Sequence, residues 1–150
     1  MKTHLPLALA ATLLLSASTA MAAEMSHGIQ SDLLYIAETA HNFSGGIQRG
    51  TTNEAKGTLD ITIDTEKAGW WTGGTWLIDF ELDHGGNPST MAGDFQTLSN
   101  IADQNRTRLQ QFWYQQQLMN GHLSLLIGTH DLNSEFDVTE YGSLFLNSSF

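Results

Sequence analysis

The chain has 150 residues, and its six Lys and Arg stand against sixteen Asp and Glu, a formal charge of −10. That balance excludes the basic footprint that binding to nucleic acid or to an anionic lipid surface requires. Cysteine is absent, which removes disulfides and thiolate metal sites as ways of holding an exported chain together.

Residues 1–23 read as a cleaved secretory leader. Lys2 supplies the positive start, Leu5 to Leu15 form a short apolar run, and Ala20-Met21-Ala22 has the small-residue spacing of a cleavage site. The run is too short for a helical membrane span, which takes roughly 20 residues, and no later stretch approaches that length. Removing the leader takes Lys2 with it and leaves five basic residues against all sixteen acids. Two classes remain: an exported soluble β-protein, or a β-barrel of the outer membrane.

The segment from Asp32 to Ile47 is the least decided. Ile29, Leu33, Ile36, Ala37 and Ala40 fit a helical spacing about as well as a strand. The strand reading is preferred because Ser44-Gly45-Gly46 then makes a turn into the next element. That element is the clearest in the chain. Ala55, Gly57, Leu59, Ile61 and Ile63 alternate with Lys56, Thr58, Asp60, Thr62 and Asp64. A period of two over ten residues is an amphipathic strand; a helix would scatter those apolar residues around its cylinder.

After a Gly-rich turn carrying Trp70 and Trp71, a second alternating strand places Trp76, Ile78, Phe80 and Leu82 on one face. Leu77, Asp79, Glu81 and Asp83 occupy the other. The polar stretch from Gly85 to Asn105 reads as a long loop, and loops of that length are usually functional. A third strand is expected over Thr107 to Leu118 and a fourth over Leu123 to Thr129. Between them Asn120-Gly121 predicts a tight two-residue type I′ hairpin. Phe112, Tyr114 and Leu118 fall on one face, with Gln111, Trp113, Gln115 and Gln117 on the other.

The connections are expected to run medium, short, long, short, long. Outer-membrane barrels have this rhythm, with short periplasmic turns and longer extracellular loops. Trp70 and Trp71 then fall at the periplasmic interface, where an aromatic girdle belongs.

Several short motifs, taken together and in order, resemble the OprB-type carbohydrate-selective porins. Ser44-Gly45-Gly46-Ile47-Gln48-Arg49-Gly50 is similar to their S-G-G-x-x-R-G segment, and Gly93-Asp94-Phe95-Gln96-Thr97-Leu98-Ser99-Asn100-Ile101 to their G-D-x-Q-x-x-S-N-I. Thr107-Arg108-Leu109, Trp113-Tyr114-Gln115-Gln116, Gly121-His122-Leu123-Ser124-Leu125 and Gly142-Ser143-Leu144-Phe145-Leu146-Asn147 resemble further elements of that family. Gln115 stands where the family usually has glutamate, and His122 and Leu126 where it has basic residues. The family's lumen charge does not carry over to those positions.

The resemblance implies passive diffusion of mono- or oligosaccharides through an outer-membrane pore, monomeric or an oligomer of identical chains. It implies no enzymatic activity and no cofactor. It also implies that residues 24–150 are the N-terminal part of a porin-type antiparallel β-barrel of about five or six strands, since bacterial single-chain barrels have about eight or more.

The candidate pore-lining residues are Asp60, Asp79, Glu81, Arg108, Gln111, Trp113 and Gln115. The run Asp79, Glu81, Asp83 with His84 reads first as a polar lumen wall, before a cation cage or a catalytic pair. Catalysis on glycosides needs two carboxylates facing across a substrate, which one strand does not supply. His84, His122 and His130 lack the spacing of metal ligands. Trp113 among glutamines suits a sugar, whose C–H faces stack on a ring while its hydroxyls need donors and acceptors. It could equally pack beneath an inward-folded loop. Arg106 and Arg108 could donate to hydroxyls at a constriction, or pair with Asp94 or Asp103. The rival to the barrel is a soluble exported β-sandwich that binds carbohydrate, and behind it a structural or adhesive surface protein.

Overall fold

The computed structural model describes residues 11–95, 97–102 and 105–136, most of them in one antiparallel sheet. Six strands follow chain order across it: β1 (Ala11–Ser26), β2 (Ile29–Ser44), β3 (Gly50–Asp64), β4 (Gly74–Gly85), β5 (Arg106–Leu118) and β6 (Leu123–Thr129). A single turn of helix, α1 (Ser89–Ala92), lies in the loop between β4 and β5. No described helix is long and apolar enough to cross a membrane, which says nothing of crossing by strands. Among the described residues the sheet is not closed, and β1 and β6 form its two edges.

The undecided segment is a strand, β2, paired along its length with β1 and β3. β1 runs through residues read above as a leader, with Ala17 opposite Ala37 and Ala22 opposite Asp32. β3 begins five residues before the alternation of apolar residues does. Thr52 and Glu54 continue its polar face, but Thr51 and Asn53 leave the other face without an apolar signal.

Two expectations about turns are corrected. Leu118 pairs with Leu123 across a four-residue turn, not a two-residue type I′ hairpin. Met119, Asn120 and Gly121 are all left-handed there, with φ of 52°, 55° and 86°. The rhythm of loop lengths also fails at one place: the connection 45–49 is shorter than the supposedly short turn 65–73. That turn owes its length to its own bonding. Asp64 Oδ1 accepts from the amides of Glu66 and Lys67 at 3.0 and 3.1 Å. The buried Thr65 hydroxyl lies 2.6 Å from the Trp71 carbonyl and accepts from Gly74 N at 3.1 Å.

The register sorts the side chains into two faces. Ile63, Trp76, Tyr114 and Ile127 form one apolar row; Ile61, Ile78 and Phe112 the next; Leu33, Leu59, Phe80 and Leu109 a third; Tyr35, Gly57 and Leu82 a fourth. Leu59, Ile61, Ile63, Ile78, Phe80 and Leu82 therefore share one face, as the alternation requires.

The burial of the two faces is inverted relative to a soluble sheet. On β4, Asp79, Glu81 and Asp83 are 5%, 6% and 2% exposed, whereas Phe80 and Leu82 are 42% and 49% exposed. A β-sandwich would bury the apolar face against a second sheet; among the described residues that face stays uncovered. At the end where the turns 27–28, 65–73 and 119–122 lie, aromatic rings collect. Trp70 stacks on Trp71 at 5.8 Å, Trp71 Nε1 donates to the Tyr114 hydroxyl at 2.7 Å, and Trp76 lies 4.7 Å from the Tyr114 ring.

Candidate functional site: the polar face

The polar face is built in rows that run across the strands. Asp32, Asp60, Asp79 and Gln111 make one row, and the Gln111 amide donates to Asp79 Oδ2 at 3.1 Å. One step along, Thr58, Glu81 and Arg108 are opposed; Glu81 takes the Lys56 ammonium at 3.0 Å on one side and the Arg108 guanidinium on the other. A step further, Arg106 Nε meets Asp83 Oδ2 at 3.5 Å. Burying these carboxylates without partners would cost several kcal/mol each, and the basic side chains of β3 and β5 offset that.

The arginines thus pair across to β4. Asp94, one of the partners considered for them, accepts instead from the Ser89 hydroxyl at 2.9 Å. Asp103 lies outside the described residues.

Arg108 and Gln111 reach the same face although their numbers differ by three. Asp79 pairs with Gln111 while Phe80 pairs with Leu109, so Gln110 is the extra residue of a β-bulge. Without it Arg108 would project beside Phe112 and Tyr114.

In the row toward the aromatic end, Thr62, Leu77, Trp113 and Gly128 are in register. Gly128 is left-handed, with φ of 137°, and a Cβ there would lie 2.9 Å from Trp113 Cβ. It lets β6 approach the β5 backbone closely, since that Cβ would also meet the Phe112 carbonyl oxygen and Trp113 Cα. The Trp113 ring meets His130 edge-on at 5.9 Å, and its buried Nε1–H finds no hydrogen-bond partner among the described residues. The neighbouring glutamines bond within the wall: Gln115 donates to Ser124 at 2.7 Å, and Gln111 Oε1 accepts from Asp131 N at 3.0 Å.

All seven candidate residues, Asp60, Asp79, Glu81, Arg108, Gln111, Trp113 and Gln115, therefore lie on the polar face. They fall into two groups, an acid and base network on β3 to β5 and an aromatic region around Trp113.

The long loop completes the face. Ile47 N and Gln48 N donate to the Met91 carbonyl at 2.8 and 3.2 Å, locking the 45–49 turn to α1. Gly46, with φ of 67°, allows this approach, since a Cβ there would sit 2.6 Å from that carbonyl. Asn42 braces the turn through Gly45 O and Gln48 O. Ser99, 1% exposed, donates to Glu38 Oε2 at 2.6 Å. Met91, Pro88 and Ile101 are buried with it.

Glu38 and Glu54 are not among the candidate residues of the sequence, and Ser99 enters there only within the 93–101 motif. Glu54 was legible as the continuation of the polar positions Lys56, Thr58 and Asp60; the loop contact was not. Among the described residues no group of three or more His, Asp or Glu is placed to hold a metal ion.

The geometry joins two of the motifs noted in the sequence. Residues 44–50 and 93–101 lie far apart along the chain, and one locks to the loop that the other anchors. Neither curated proteins nor solved structures give a match to this chain. The family model described as carbohydrate-selective porin, OprB family, matches residues 48–150, which takes in β3 to β6 and the long loop. The chain belongs to the carbohydrate-selective porins of the OprB family.

Proposed function

We propose that this chain forms part of the wall of an outer-membrane pore through which mono- or oligosaccharides diffuse passively, with residues 24–150 as the N-terminal part of the barrel. The observation that carries this reading is the inverted burial of the sheet, with apolar rows exposed and acids covered. Lipid is the solvent in which that arrangement is stable. Lys56, Glu81 and Arg108 then line the lumen with donors and acceptors. The leader is removed after Ala22 or Ala23, which takes away most of β1 and leaves β2 as the first strand of the mature wall. Strands supplied beyond those described here, or by further copies of the chain, close the hydrogen-bonded edge.

Trp113 is the residue proposed to contact sugar. It is half-buried on the polar face, and its ring face rather than its buried N–H is what a sugar meets. A ring offers stacking to a pyranose, and such binding must stay weak for a pore to release what it admits. The test is sugar block of ion current in planar bilayers by the barrel-forming protein. Trp113→Ala should weaken the block about 3- to 10-fold, the loss of about 1 kcal/mol of stacking, and leave conductance similar or slightly higher. Tyr114→Ala, on the opposite face, should leave the block unchanged. A reversal of the two effects would place Trp113 against lipid.

A further inference from the structure

Where the long loop meets the wall, two carboxylates face each other. Glu38 on β2 and Glu54 on β3 are direct cross-strand partners, 7% and 4% exposed. Ser99 from the loop donates to Glu38 Oε2 at 2.6 Å and closes the site from above. Neither oxygen of Glu54 has a hydrogen-bond partner among the described residues.

Among the described residues no base sits in this row: β4 places Gly85, which has no side chain, opposite Glu54, and the β1 position opposite Glu38 leaves with the leader. The nearest cation on the polar face of β3, Lys56, is engaged with Glu81 at 3.0 Å. On β4, Asp83 lies opposite Lys56 and meets Arg106, and His84, opposite Ala55, is exposed on the other face. From the loop, Asp94 accepts from Ser89. Two carboxylates opposed across neighbouring strands and out of water resist being ionised together, because like charges in a low-dielectric site repel and neither is hydrated.

We propose that Glu38 and Glu54 hold one proton between them and, with Ser99, form a latch that pins loop residues 97–102 to the sheet in acid and frees them as the pH rises. The protonated Glu54 donates to the Glu38 carboxylate, which also accepts from Ser99. Removing that proton leaves two buried negative charges under the loop. Lifting the loop lets water reach both. The docked state therefore binds the proton more tightly than the undocked one. Docking is strongest at acid pH and weakens by up to about tenfold per pH unit above the ordinary glutamate range, until the docked pair has itself ionised. The consequence for passage, a wider opening on the loop side at higher pH, rests on the porin reading; the latch does not.

Hydrogen exchange of the amides of residues 97–102 tests the latch in the barrel-forming protein folded in detergent, with no transport required. After correction for intrinsic exchange, protection should fall steadily from about pH 5 to about pH 8. Glu54→Gln keeps a donor toward Glu38 but cannot titrate, so its protection should stay high and flat. Glu38→Gln removes the repulsion and should reduce the slope, and Ser99→Ala should lower protection at acid pH. A flat wild-type profile, or Glu54→Gln and Glu38→Gln profiles that both track the wild-type slope, would overturn the proposal. So would unchanged acid protection in Ser99→Ala. Far-UV circular dichroism identifies any variant that has lost its sheet. Should sugar passage fail while the pH profile holds, the porin reading falls and the latch stands.

Discussion

Ile61→Arg is the sharpest challenge to the face assignment. The apolar rows run from Ile63 to Gly57 on β3, a rise of about 20 Å along the strand at about 3.4 Å per residue. With the tilt of about 40° usual for barrel strands, that becomes roughly 15 Å along the membrane normal between the outer rows, and side chains extend it toward the about 25 Å band of a barrel. Ile61 lies in the second of the four rows, which places it about 3 Å from the midplane. Arginine near that depth costs about 2–4 kcal/mol, or roughly a 30- to 700-fold shift in the folding equilibrium. Thr62→Arg, one residue on, projects to the polar face between Gln30 and Leu77 and should cost a few tenths of a kcal/mol at most. The assay is a urea titration of the barrel-forming protein in phosphatidylcholine vesicles, read by tryptophan fluorescence. Equal destabilisation by the two arginines, or a greater loss from Thr62→Arg, would refute the assignment of lipid to the Ile61 row.

Two further outcomes follow from the proposed reading. The protein should fractionate with outer membranes, and N-terminal sequencing should begin at Ala23 or Glu24; an intact Met1, or recovery only from the soluble periplasm, contradicts this. The purified 24–150 segment alone should give no stable channels in planar bilayers, because a few strands leave an unpaired edge that lipid cannot satisfy. Uniform, sugar-blockable channels from it would mean that several copies close the barrel together.

The fold was legible wherever two chemically distinct faces alternated without a break. β4 needed nothing more than period two, and the Leu59, Ile61, Ile63 face of β3 follows in the same way; β6, with Leu125, Leu126 and Ile127 in succession, owes its reading also to the Asn120-Gly121 turn before it. β2 carries apolar residues on both faces, Leu33 and Tyr35 on one and Leu34 and Ile36 on the other, so its pattern could not separate strand from helix. Asn120-Gly121 reports a preference for left-handed backbone, not the number of residues that adopt it; Met119 joins them, and the turn is longer than the dipeptide implies.

At the polar face the sequence supplied residue types but not partners. Arg106 and Arg108 pair across to acids more than twenty positions earlier, a contact fixed by register. Ser99 and Glu38 lie 61 positions apart, and only the folding of the long loop onto β2 brings them together. Placing Arg108 and Gln111 on one face required knowing of Gln110.

That bulge changes what kinds of sequence change β5 can absorb. Inserting or deleting one residue in a regular strand exchanges every inward side chain beyond it for an outward one, so length can drift only in steps of two. Gln110 acts as a parity switch. On its Trp113 side the strand keeps odd positions on the polar face, and on its Arg106 side even ones. The two ends of β5 are thereby uncoupled. The charged end can follow the acids of β4 while the aromatic end answers to whatever passes through the pore, and neither constrains the other's reading frame.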